Sequence, residues 1–118
     1  MLNTNANEVF IPEENGNAKA ESPIKFYLQF LTIDEQAELE YYEYTHIGSG
    51  KNPRVKIKIN SAEYFRRGVT KIEGYPDATT AAEWLALRGP TWMARMMSEV
   101  ALHIKNMMDG VGEPDEKN

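Results

Sequence analysis

The 118-residue sequence contains no cysteine and only two histidines, His46 and His103. Without thiols there is no disulfide framework, thiolate zinc site, iron–sulfur cluster or cysteine nucleophile, so packing or a partner must hold the fold. Glu99 and His103 stand one helical turn apart and could offer two metal ligands. A stable transition-metal site takes three or four, and a solvated pair within the helix is the expected arrangement. No apolar run approaches the roughly 20 residues of a membrane-spanning helix. The opening residues, Met1 to Phe10, lack the basic stretch and apolar core of a secretory signal, so the chain is expected not to be secreted and, with no long apolar run, to have no membrane partner.

Signatures of catalysis are also missing. The loop Gly48-Ser49-Gly50-Lys51 invites a phosphate-binding reading, but the spacing refuses it. Thr45 stands where a Walker loop needs its first glycine, Asn52 where it needs serine or threonine, and Pro53 where a dinucleotide fingerprint needs its third glycine. No serine sits in a Gly-x-Ser-x-Gly elbow, and the acidic stretch has no oxygen-rich calcium loop. No catalytic, metal-binding or cofactor-binding residue is therefore assigned, and no cofactor is expected. The chain reads as non-enzymatic.

What is present is a run of short patterned elements between polar ends. Residues 1–22 hold four acids and one base, and read as a mobile acidic arm. Its apolar knot, Val9-Phe10-Ile11-Pro12, could equally dock as a short edge strand. Ile24, Phe26, Leu28 and Phe30 alternate with polar neighbours, as a half-buried strand does. Thr32 precedes Glu35 by three, the spacing of a capping box, and a helix is expected to run to about Tyr44 with Ile33, Ala37, Tyr41 and Tyr44 on one face. Residues 46–54 read as a loop, and Val55, Ile57 and Ile59 as a second strand. Asn60 can cap a helix whose stripe Ala62, Phe65, Val69 and Ile72 runs to Gly74. Thr80 and Glu83 repeat the capping spacing before Trp84, Leu85 and Leu87. After Gly89-Pro90 comes the longest stripe, Met93, Met97, Val100, Ile104, Met107 and Met108, closed by Gly110. The expected architecture is a small, mostly helical α+β domain at residues 23–109 with two short strands and about four helices, followed by a disordered tail at 110–118.

Charge and methionine give two candidate surfaces. From His46 to Glu73 there are seven bases against two acids, and Lys56, Lys58, Arg66 and Arg67 form a possible electrostatic patch for nucleic acid. The preceding helix is rich in acids and can neutralise that patch internally, which makes a nucleic-acid partner the lesser reading. Five of six methionines lie between Met93 and Met108, and Trp84 and Trp92 bracket the start of that helix. Met93, Met97 and Ile104 are expected in the core, whereas Met96, Leu102 and Met108 widen the apolar surface. Trp84, Trp92, Met93, Met96, Met97, Met107 and Met108 are accordingly the candidate partner-binding residues, for a client helix or a second copy of the chain.

The order of these elements resembles a known family. A strand leads into Leu31-Thr32 and a helix bearing Glu35 and Ala37, and a middle segment carries Gly68, Ile72, Glu73 and Gly74. Over roughly residues 9–109 this is similar to the small tail-assembly chaperones encoded by tailed bacteriophages and prophages. The resemblance implies a non-enzymatic morphogenesis factor in the host cytoplasm that binds the helical tape-measure protein, or another tail protein, and helps tail-tube subunits assemble. A nucleic-acid-binding regulatory module, or a head or tail subunit kept in the virion, are the alternatives.

Overall fold

A computed structural model describes residues 8–45 and 59–110. The predicted strand residues Val55 and Ile57, the patch residues Lys56 and Lys58, and most of the predicted C-terminal tail lie outside the described residues. The elements in chain order are β1 (Glu8–Phe10), a short 3-10 segment (Glu14–Lys19), β2 (Lys25–Leu28), α1 (Ile33–Thr45), α2 (Ser61–Gly68), β3 (Val69–Glu73), α3 (Ala81–Leu85) and α4 (Thr91–Met108). Helices combine with a three-stranded antiparallel sheet, consistent with an α+β fold. β2 is the central strand, with Phe10 opposite Phe26 on one side and Ile72 opposite Phe26 on the other. No helix among the described residues is long and apolar enough to cross a membrane.

The capping spacings act as written. Thr32 N–H donates to Glu35 Oε1 at 2.9 Å and Glu35 N–H to Thr32 Oγ1 at 3.0 Å, which starts α1. At α3, Glu83 N–H donates to Thr80 Oγ1, while the Glu83 carboxylate reaches past Thr80 to the N–H and hydroxyl of Thr79. The Thr79 N–H, followed by its hydroxyl, holds the Glu83 carboxyl below its ordinary 4.5. A carboxylate depressed in the folded state stabilises it above the unfolded value, and that support is lost as pH falls through the lower folded value. Glu83→Gln should therefore make the loss of stability below about pH 4.5 shallower than in the parent chain, as read by urea titrations at stepped pH. An unchanged acid limb would contradict the assignment.

Three sequence expectations are corrected. The first concerns the acidic arm: of the two readings open for its Val9–Pro12 knot the docked edge strand holds, and the polar residues that follow, through Lys19, belong to the fold with it. β1 pairs with β2, Phe10 stacks on His103 at 4.1 Å between ring centroids, and Pro12 is fully buried. Asn15 and Gly16 both take positive φ, a conformation suited to asparagine and glycine, and turn the chain so that Asn17 points inward. Buried Asn17 then donates from Nδ2 to the carbonyls of Pro12 and Ile24 and accepts the Ile24 N–H, which leaves none of its polar atoms unpaired. Local polarity hid these tertiary partners.

The second correction is that the middle helix stops at Gly68, and Val69–Glu73 is a strand. A Cβ on Gly68 would lie 2.7 Å from Ile104 Cδ1, so α2 packs tightly on α4 there and the backbone then turns extended at Val69. The register shift between Tyr27 and Leu28 lets Val69 and Ile72, three apart, both face the core. A strand with an irregularity thus imitates the spacing of a helical stripe.

The third is that Glu99 and His103 are not a solvated pair within α4. The Glu99 carboxylate accepts the N–H groups of Glu13 at 2.8 Å and Glu14 at 3.0 Å, and His103 Nε2 meets the Glu8 carboxylate. Both fasten the N-terminal segment to the last helix. The core lies between sheet and helices around Phe26, Phe65 and Trp84, with Phe26–Trp84 ring centroids 5.4 Å apart and edge-on.

Candidate functional site

Two apolar stretches meet at a Gly-Pro step, and a groove forms where they meet. α3 ends when Ala86 N–H turns back to the carbonyls of Ala82, Glu83 and Trp84, and Leu87 N–H donates to Trp84 O at 3.1 Å. Pro90 then takes extended backbone one position before α4, where its missing amide leaves no helical bond unmade. At Gly89 an added Cβ would lie 2.5 Å from Met93 Sδ, so the linking backbone passes directly over the Met93 side chain. The result is an open groove of about 370 Å³ lined chiefly by Trp84, Leu85, Leu87, Met93, Ala94 and Met97. Its floor is rigid, because Trp84 is buried and its indole N–H donates to Met93 O at 3.3 Å. Its lip is adaptable, because Leu85, Leu87 and Met97 are half-buried and Met97 has an unbranched thioether chain.

The seven sequence-predicted partner residues divide between core and edge. Trp84, Met93 and Met96 are buried in the protein's own core, whereas Trp92, Met97, Met107 and Met108 are half-buried and pack against its edge. Of the seven, Trp84, Met93 and Met97 line the groove. The expected roles of two neighbours are reversed, since Met96 is 1% exposed and Met97 lies at the lip. The buried row on α4 is Met93, Met96, Val100 and Ile104, which also keeps three- and four-residue spacing. Leu102 is exposed, as expected. Leu85, Leu87 and Ala94 were not singled out as binding residues by the sequence, although the Gly89-Pro90 break marks where two apolar faces must converge.

The basic patch is complemented from within, as far as it is described. Arg66 is ion-paired with Glu63, and Arg67 with Glu63 at 3.1 Å and with Glu38 of α1 at 2.9 Å. The Glu38 hydrogen bond holds the Arg67 guanidinium above its ordinary value, so its charge is committed. A second hollow of about 380 Å³ lies beyond β3, where Tyr75, Pro76 and Thr79 face Lys71 and Glu73. Ile72 N–H donates to Thr79 O across that edge, so the sheet is partly closed there. Among the described residues no group of three or more acidic or histidine side chains is placed to hold a metal ion.

No family model matches the chain, and searches of curated proteins and of solved structures find no match either.

Proposed function

We propose that the chain is a non-enzymatic assembly factor of the phage tail-assembly chaperone kind, which keeps a long helical client such as the tape-measure protein soluble until tail-tube subunits surround it. The observation that carries this reading is the α3–α4 groove, a rigid apolar floor with a methionine and two leucines at its lip. Such a surface suits reversible burial of the apolar edge of a helix, with anchors at three- and four-residue spacing. Methionine adapts to differing side chains along a client and so supports repeated capture at many places. The resemblance of residues 9–109 to tail-assembly chaperones supports this class of client. On this reading the protein works in the host cytoplasm and leaves before the particle is complete.

Co-expression tests the proposal. A phage tape-measure protein co-expressed with the chain should remain in the soluble fraction with the parent chain and precipitate with a Leu87→Asp, Met97→Asp variant whose circular dichroism is unchanged. Equal client solubility with the variant, or with no assembly factor at all, would remove the groove from the function.

A further inference from the structure

We propose that the segment seated in the α3–α4 groove is an acidic amphipathic helix whose carboxylates are met by Arg88 and Arg95, a reading that rests on the groove being the client site. From Trp84 to Ser98 the sequence contains no aspartate or glutamate, and Arg88 and Arg95 are its only formal charges. Arg88 lies between two groove-lining residues, Leu87 and Gly89, in the link that forms one wall. Arg95 follows Ala94 and stands one turn beyond Thr91, both of which line the groove, so it marks the solvent flank on the α4 side. Both arginines are exposed.

The chain does not lack acids with which to pair them. It holds 18 acids against 13 bases, and among the described residues Arg66 and Arg67 are both held by carboxylates while Arg88 and Arg95 have no ion pair. The acids nearest in sequence are already used. Glu83 is spent on Thr79, and Glu99 accepts the backbone of Glu13 and Glu14. Two forked guanidinium groups beside an apolar groove therefore present donors that no carboxylate among the described residues accepts. A helix with an apolar edge and flanking glutamates or aspartates satisfies both at once, because arginine engages carboxylates in a bidentate, orienting manner. Rim charges of this kind select the partner and its direction more than they add affinity.

Two synthetic helical peptides with the same apolar face, one bearing glutamates and the other lysines on its flanks, provide the test when titrated into the full chain with tryptophan fluorescence as readout. The glutamate peptide should bind about tenfold more tightly at low ionic strength, a difference of the size rim charges supply, and the gap should narrow with added salt. Arg88→Glu with Arg95→Glu should reverse the preference while leaving circular dichroism unchanged. Equal binding of both peptides would overturn the charge selection and leave the client site standing. Binding of neither would overturn both. A glutamate preference that survives the double substitution would place the selecting charges elsewhere and overturn this assignment. So would self-association of the parent chain in sedimentation velocity that the double substitution abolishes, since the occupant would then be a second copy. Capture of anionic vesicles, but not of either peptide, would equally overturn it.

Discussion

Replacing Trp84 with alanine should lower the unfolding free energy by about 3–5 kcal/mol, the range for deleting a large buried aromatic side chain. Trp84 is 4% exposed and meets Phe26 and Tyr75 edge-on, each at 5.4 Å between centroids. Its indole N–H also joins α3 to α4 through Met93 O, and the truncation leaves that carbonyl without its donor. Because a domain of this size has only about 5–15 kcal/mol in total, the loss is a substantial share of the stability and should show as a large fall in the denaturation midpoint. Guanidinium titration followed by circular dichroism checks this. Trp92→Ala is the internal comparison, since Trp92 is half-buried and packs against the edge of the core cluster, and it should lose clearly less. A Trp84→Ala loss as small as that of Trp92→Ala would show that the aromatic cluster is not what joins sheet to helices. Trp84→Phe should recover much of the packing without the hydrogen bond.

Gly74→Ala should be nearly as severe, at about 2–4 kcal/mol, combining a strained positive φ with an overpacked contact. Gly74 has φ +93°, and a Cβ there would lie 2.6 Å from Pro23 O and 3.1 Å from Ile24 Cα. Those are backbone atoms at the entry to β2, which cannot yield as a flexible side chain would. Displacing them would disturb the Lys25–Glu73 end of the β2–β3 pairing and the Asn17 bond to Ile24. Gly110→Ala is the control, because Gly110 also has positive φ but nothing within 4 Å of an added Cβ. The difference between the two denaturation midpoints isolates the steric part. Equal midpoints would mean that the close approach at Gly74 relaxes freely.

Elements with local determinants were legible in the sequence, and those with distant ones were not. Thr32 with Glu35, Asn60 with Glu63 and Thr80 with Glu83 each mark a helix start through partners three residues apart, and all three operate. The long stripe of α4 likewise follows from side-chain spacing alone, although its phase by one residue, Met96 against Met97, depends on how α4 lies against α2 and the N-terminal segment. Val69 and Ile72 misled because a strand irregularity and a helical turn can bury the same pair of positions. The groove was legible only in part. Its floor and one lip residue belong to the aromatic and methionine set, but Leu85, Leu87 and Ala94 gain their meaning from the angle between α3 and α4, which no local pattern states.

The bonds from Glu99 and His103 to Glu13 and Glu8 join residues 86 and 95 positions apart. Contacts of that span close only after the intervening chain has been ordered, and they slow folding relative to local pairing. During synthesis, which proceeds at about 5–20 residues per second, the edge strand β1 must wait for α4 before either bond can form. The N-terminal segment is thus made before the helix that secures it, so a nascent chain truncated before Glu99 keeps the β2 edge open to β1 without the fastening that holds it there.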